Sequence, residues 1–259
     1  RRRADIAMGV AKRGQSGHAL YEPRYDDAQQ DHLSLLSELR RAVENQELRL
    51  FYQPKVEIPS GRLIGAEALI RWAHPTRGLV PPMEFIPFAE QTGYIRALTT
   101  WLVEEAISQV ARWRAAGLDL PVAVNISPRT LADTGLPERI AALLERYAVP
   151  ADRLALEITE SGFMADPAKT DIVIARLAEL GLRMSIDDYG TGYSSLAAIR
   201  KLPVDELKID RAFVVSMTED PDAAVIVRST VELGHSLGLK VVAEGVEFPV
   251  HWEQLASCG

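Results

Sequence analysis

From residue 50 onward, short uninterrupted apolar runs alternate with longer stretches in which apolar residues recur every three or four positions. The first kind predicts buried strands and the second predicts amphipathic helices. Strand-like runs fall at 50–58, 63–72, 120–126, 154–158, 183–187, 206–209 and 240–244. Helical patterns fall at 98–116, 137–147, 167–180, 194–201, 221–237 and 249–257. Pro137 suits a first helical position, and Gly117, Gly181 and Gly238 stand where helices stop. Between the first two runs, Pro59-Ser60-Gly61 is a turn signal that makes them an antiparallel hairpin. Ahead of them, Leu33, Leu36, Leu39 and Val43 recur at helical spacing from Asp31, predicting an amphipathic helix able to join two domains.

Residues 1–31 do not share this pattern. Ala4–Met8 reads as the end of a helix, Lys12–Gly17 as a polar turn and His18–Tyr21 as a short strand. That is too little to bury a core, so it is an arm or the remnant of a preceding domain.

Apolar strands alternating with helices point to a mostly parallel sheet covered by helices. At 259 residues a (β/α) barrel is the first choice and an open doubly wound sheet the second. No Gly-rich dinucleotide or P-loop fingerprint is present, which favours the barrel. Seven strand-like runs are one short of the eight that close such a barrel. Open edges are normally covered, so an eighth strand carrying a polar site residue is expected beyond Gly259.

The polar residues within the apolar runs are the unusual feature. Glu67, Asn125, Glu157, Asp187 with Asp188, Lys208 and Glu244 each fall in or at the end of a strand-like run. In a barrel such ends share one mouth, where active sites are assembled from several strands. Unpaired carboxylates in that interior cost several kcal/mol each, and a shared cation is the simplest way to hold them together. The donors are oxygens without histidine or cysteine, a set suited to Mg²⁺ or Mn²⁺ rather than zinc. The adjacent pair Asp187-Asp188 can serve two ions, the usual clamp for in-line attack on a phosphodiester.

Composition narrows the setting. A net charge of −7 and a pI near 5.4 argue against duplex nucleic acid as a partner. The single cysteine, Cys258, has no partner in this chain for a disulfide, which suits a reducing compartment. No apolar run reaches the roughly 18 residues of a membrane helix. Arg1-Arg2-Arg3 is not followed by the apolar segment of a signal peptide. The expected location is the cytoplasm, with any membrane anchor left to further N-terminal regions.

Glu67-Ala68-Leu69-Ile70-Arg71-Trp72 carries a family resemblance. The resemblance extends through Tyr52-Gln53-Pro54-Lys55, Asn125-Ile126-Ser127 and Glu157-Ile158-Thr159-Glu160. It continues through 187–196 (Asp-Asp-Tyr-Gly-Thr-Gly-Tyr-Ser-Ser-Leu), Leu207-Lys208-Ile209-Asp210 and Ala243-Glu244-Gly245-Val246-Glu247. Each motif alone is weak, but their order and spacing are specific. Over about residues 33–259 the chain resembles the EAL-domain phosphodiesterases, bacterial enzymes that hydrolyse cyclic di-GMP to linear pGpG. The implied fold is a modified (β/α)8 TIM-like barrel with an antiparallel first strand. Arg2–Met8 and Ala11-Lys12-Arg13 resemble the end of a GGDEF (diguanylate cyclase) domain. Residues 1–31 are therefore expected to be a GGDEF-like remnant plus linker, and 32–259 the EAL domain. The larger polypeptide would carry an upstream GGDEF-like domain and sensor domains.

The resemblance also implies roles. Glu67, Asn125, Glu157 and Asp187 would hold one metal, and Asp187 would bridge to a second ion bound also by Asp188. Two Mg²⁺ or Mn²⁺ ions are implied, with Ca²⁺ expected to bind but inhibit because its looser geometry activates water less. Glu67, Lys208 and Glu244 would be catalytic, either Lys208 or Glu244 taking the proton of the attacking water. Gln53 and Arg71 would contact the dinucleotide, Arg71 as a forked phosphate donor. Asp210 is placed with the substrate-binding and supporting groups, Glu160 would order the loop after Asp188, and Glu247 would be a further support. A homodimer through the segment after Asp188 is implied as well. Two departures stand out: Tyr189 replaces the family's usual Phe, and the family's Gln-Gly-Tyr strand would follow Cys258. The alternative reading is a weakly active or inactive cyclic di-GMP receptor on the same fold, and a third is an unrelated Mg²⁺ barrel enzyme acting on another phosphate. The tryptophans are expected to pack rather than stack on bases, and His74, His235 and His251 are given no role.

Overall fold

In a computed structural model the described residues are 35, 37–163, 167–190 and 202–259. The expected GGDEF-like remnant and the 194–201 helix lie outside them. Two compact units are distinguished, one made of 71–94 with the chain before Leu50, the other of Leu50–Ile70 and Ile95–Gly259.

The smaller unit starts with helical residues 37–44, whose inward positions include Leu39 and Ala42, with Val43 only half-buried. Of the expected stripe, Leu39 is buried and Val43 half-buried, while Leu33 and Leu36 lie outside the described residues. The unit also holds the end of strand β2 (Leu63–His74), strand β3 (Gly78–Val80) and a helix, Pro82–Thr92. β3 returns antiparallel on β2, pairing Trp72 with Val80 and His74 with Gly78. The sequence reading predicted neither β3 nor the helix. A three-residue strand is too short to show a period, although Pro82 in the first turn and Gly93 after the last are ordinary helix-boundary signals.

The larger unit holds β1 (Leu48–Val56) from Leu50, β2 to Ile70, and β4 (Val122–Asn125), β5 (Leu154–Thr159), β6 (Arg183–Tyr189), β7 (Glu206–Ile209) and β8 (Lys240–Ala243). They pair in the order β1-β2-β4-β5-β6-β7-β8. The ladders from β2 to β8 are parallel, and β1 is antiparallel to β2 across the predicted hairpin, where Glu57 N donates to Arg62 O. The sheet has eight strands once β3 is included, not the seven read from sequence, but the continuous path has seven, and no ladder joins β1 to β8 among the described residues. This is the curled α/β half-barrel arrangement of the expected class.

Its stagger explains how the site is built. Register partners run Asn125–Glu157–Ser185–Glu206–Lys240, from the last residue of β4 to the first of β8. Such a shear accompanies a sheet curling on itself. Register partners in a sheet share a face, so this row is a polar line along the inner wall. The alternate residues Val122, Val124, Leu154, Leu156, Ile158, Met184, Ile186, Leu207 and Ile209 are fully buried on the opposite face. There the Ile95–Ala115 helix packs on β4 and the Pro221–Ser236 helix on β7 and β8.

Candidate active site

Lys208 occupies the third position of β7 with 1% of its side chain exposed. Its Nζ lies 2.7 Å from Glu157 Oε2, 3.3 Å from Glu67 Oε2, 3.0 Å from Asp187 Oδ1 and 2.6 Å from Glu244 Oε1. One ammonium therefore joins carboxylates from β2, β5, β6 and the residue after β8. Asn125, at the end of β4, completes the ring by donating to Glu67 Oε1 at 2.8 Å. Glu67, Asn125, Glu157, Asp187, Lys208 and Glu244, placed by sequence on separate strands, thus converge.

Asp188 also converges, for a reason the alternation of a strand does not supply. Adjacent strand residues point to opposite faces, so Asp187 and Asp188 would diverge in regular β structure. The β6–β7 register shifts between Ile186 and Tyr189, and Asp188 has φ +55°. A bulge bends the strand, and Asp is one of the few non-glycine residues that tolerate the left-handed region. The result brings one carboxylate oxygen each from Asp187, Asp188 and Glu244 to within 4.8 Å of one another.

Charge is unbalanced in this interior. Burial, then the nearby Glu157 and Glu244 carboxylates, push Glu67 up to about 7. Burial and the Asp187 and Asp210 carboxylates push Asp188 up to about 6, and burial raises Glu244. Burial alone would lower Lys208, but the surrounding carboxylates outweigh it and raise the group well above its ordinary value. Lys208 and Lys55 together hold Glu157 below the usual carboxylate range despite its burial. An all-oxygen donor set with more negative charge than its lysines offset fits a hard divalent cation.

The remaining expected residues are more scattered. Gln53 is exposed on β1. Arg71 is half-buried on β2 and belongs to the smaller unit. Glu160, 5% exposed, accepts from Gly190 N through Oε2 at 3.3 Å, just after the Asp187-Asp188 bulge. Asp210 caps the Arg211–Ser216 helix by accepting from Ala212 N at 2.8 Å, and it also hydrogen-bonds Asp188. Glu247 points away into an exposed ion pair with Arg211 at 2.7 Å. Between Glu244 and Glu247, Gly245 has φ +74°, and a Cβ there would run into the Arg211 side chain, so the turn after Glu244 needs glycine.

The sequence reading gave no role to Lys55, Ser185 or Glu206. Tyr52 packs edge-on against Trp113 of the Ile95–Ala115 helix, with ring centroids 4.8 Å apart. Strand alternation then turns Phe51, Gln53 and Lys55 to the inner face. Lys55 Nζ reaches Glu157 Oε1 and Glu206 Oε1, both at 2.8 Å, and Ser185 Oγ donates to the same Glu206 oxygen at 2.8 Å. The available signal was a polar residue at a period-two position in each of three apolar strands. Trp72 and Trp113 pack as expected, whereas His74, given no role, is a buried hydrogen-bonding centre.

The EAL domain family matches residues 36–259. Over 258 residues, 99% of the chain, the sequence is 43% identical to the bifunctional diguanylate cyclase/cyclic di-GMP phosphodiesterase MucR of Pseudomonas aeruginosa, covering 38% of that protein. It is 38% identical over 247 residues to the cyclic di-GMP phosphodiesterase PdeR of Escherichia coli, covering 95% of this chain and 37% of that protein. The chain thus spans about two fifths of the length of these curated relatives. A solved PaMucR phosphodiesterase in complex with c-di-GMP superposes with a TM-score of 0.84 at 44% identity, over 87% of this chain and 92% of that one.

Proposed function

The chain belongs to the EAL domain family, and from that premise we propose that it hydrolyses cyclic di-GMP to linear pGpG with the help of two divalent cations. The observation that carries this reading is the convergence of Glu67, Asn125, Glu157, Asp187, Asp188 and Glu244 around Lys208. The names of MucR and PdeR support the substrate. A receptor that only binds the nucleotide has no need of this full carboxylate set, so hydrolysis is the better reading.

Glu67, Asn125, Glu157 and Asp187 would hold one ion, and Asp187, Asp188 and Glu244 have carboxylates positioned to hold a second. Bound there, Mg²⁺ or Mn²⁺ would lower the pKa of water and neutralise charge on the phosphodiester. Lys208 keeps the carboxylates together as a positive charge and stands with Glu244 at 2.6 Å, which makes this pair the proton-handling element beside the attacking water. Glu160 steadies the backbone after Asp188. Gln53 and Arg71 contact the dinucleotide, and Asp210 and Glu247 act through Asp188 and Arg211 respectively. Ca²⁺ inhibits. The protein works as a homodimer in the cytoplasm, with a GGDEF-like domain preceding residue 32, in keeping with the bifunctional relative.

Incubation with cyclic di-GMP and Mn²⁺, followed by chromatography, tests the reading. Appearance of pGpG that needs Mn²⁺ or Mg²⁺ and is suppressed by Ca²⁺ is expected; binding without any pGpG would leave the receptor reading in its place.

A further inference from the structure

We propose that Lys55 is a positioning residue for the metal site, reserving one oxygen of Glu157 so that only the other is offered to a cation. The inference rests on the metal-binding part of the proposed function.

Glu157 sits between two lysines. Its Oε1 meets Lys55 at 2.8 Å and its Oε2 meets Lys208 at 2.7 Å. The two contacts differ in kind. Lys208 lies among Glu67, Asp187 and Glu244 and competes with any cation for the same oxygens. Lys55 lies on the other side of the carboxylate, 13% exposed, and is held from behind by Glu206 at 2.8 Å, itself fixed by Ser185. Glu157, Ser185 and Glu206 are register neighbours on β5, β6 and β7, so three rigid strands define the socket into which Lys55 reaches from β1.

The consequence follows from carboxylate geometry. A free carboxylate can rotate or bind a cation through both oxygens. With Oε1 committed to an ammonium, Glu157 presents a fixed single oxygen toward Glu67 and Asn125. Mg²⁺ and Mn²⁺ favour a near-octahedral set of such single oxygens, whereas Ca²⁺ accepts two-oxygen carboxylates readily. Lys55 thereby favours the smaller ions. Partners behind metal-binding side chains commonly change affinity by 10–100-fold.

A merely structural role is the rival, since Lys55 also links β1 to the far wall of the curled sheet. Lys55→Met, Lys55→Arg and Glu206→Gln separate the two. Mn²⁺ affinity is read by electron paramagnetic resonance of free Mn²⁺, Ca²⁺ affinity by calorimetry, and stability by thermal unfolding without metal. The expected result is that Lys55→Met weakens Mn²⁺ binding about tenfold and narrows the preference for Mn²⁺ over Ca²⁺. Lys55→Arg, which keeps a charged donor, restores most of both. Glu206→Gln leaves Lys55 on Glu157, so it lowers the unfolding temperature with Mn²⁺ affinity close to the parent's. If Lys55→Met and Glu206→Gln lower the unfolding temperature alike while Mn²⁺ and Ca²⁺ affinities stay at the parent's values, Lys55 is a strut and the inference falls. Absence of Mn²⁺ binding by the parent protein is a different failure, one that removes the proposed function and this inference with it.

Discussion

Two buried polar clusters make an instructive pair. In the smaller unit, Trp72 is fully buried and its Nε1 donates to Glu47 Oε2 at 3.0 Å. His74, two residues on, receives Thr76 N and Arg77 N at Nδ1, each at 3.2 Å, which assigns its proton to Nε2 and to the 2.5 Å bond with Glu38. Each of these donors meets an acceptor, and both carboxylates reach the half-buried edge rather than the interior. In the larger unit, the carboxylates of Glu67, Glu157, Asp187 and Glu244 crowd one ammonium; burial, then Glu157 and Glu244, push Glu67 up, and burial, then Asp187 and Asp210, push Asp188 up. Both clusters are buried and hydrogen-bonded, so neither property marks function. The mark is uncompensated charge, which a fold keeps at a cost unless something else supplies the missing cation.

The sharpest way to break this contrast is to remove the shared cation. Lys208→Met leaves buried carboxylates with no ammonium between them, and breaking a buried pair in this way costs about 3–5 kcal/mol. The variant without metal is expected to lose that much in urea unfolding, and turnover should disappear. Added Mn²⁺ should restore much of the stability, because a bound divalent ion supplies the charge that Lys208 did. Equal stability of variant and parent without metal would mean that the cluster is neutral as folded, and the contrast with the Trp72 region would vanish.

Asp187→Asn works in the opposite sense. It removes one negative charge from a surplus, so the unfolding midpoint should stay level or rise. Turnover should fall more than about a hundredfold, because this carboxylate belongs to the proposed metal-holding set. Steady-state release of pGpG together with urea unfolding gives both readouts. Activity retained in a folded Asp187→Asn protein would count against the proposed metal arrangement.

What the sequence could show of this contrast depended on chain direction and periodicity. Glu67, Asn125, Glu157, Lys208 and Glu244 were legible because each interrupts or ends an apolar run, and strand ends in an α/β fold share one mouth. The antiparallel β1–β2 hairpin was legible from Pro59-Ser60-Gly61. Asp187 and Asp188 were legible as an adjacent pair at a strand end, but the bulge and the φ of +55° that turn both carboxylates together are specified by no residue pattern. Lys55 and Glu206 pair across 151 positions of sequence, a contact fixed only by the curl of the sheet. The Trp72–His74 cluster was missed for a plainer reason: its partners are Glu38 of the helix before β1, Glu47 in the turn after that helix, and the unrecognised turn into β3. Glu247 is a case where the motif alone could not show the partner. Its motif suggested a supporting place near the site, and after the left-handed Gly245 turn its carboxylate is found paired with Arg211.

That turn supplies a smaller test. Gly245→Ala forces a side chain into a left-handed backbone and onto Arg211 Cγ. The cost should be about 1–3 kcal/mol, the usual range for such strain. Because Glu244 immediately precedes it, turnover should fall along with stability. The balanced cluster has no counterpart to this coupling, so a variant there should affect stability alone.

Glu47→Gln is that variant, and it should have the smallest effect. The amide oxygen can still accept from Trp72 Nε1, but one of the two acceptor oxygens is lost, and with it the bond from Asn45 Nδ2 at 3.1 Å. A cost of about 0.5–1 kcal/mol is expected at neutral pH. Its pH dependence carries the argument. The hydrogen bond from Trp72 holds Glu47 below its ordinary 4.5 in the folded protein, with burial opposing and Asn45, His74 and Arg41 assisting. A carboxyl lowered on folding binds protons more readily when unfolded, so its stabilisation is complete above 4.5 and is lost as pH falls through the lower folded value. Unfolding temperatures of parent and Glu47→Gln should therefore differ by a constant amount well above pH 4.5 and converge once the pH has fallen through the lower folded value. Turnover of cyclic di-GMP should be the same in both. A difference that grows toward acid would place a raised carboxyl in the Trp72 cluster, giving it the surplus charge found around Lys208.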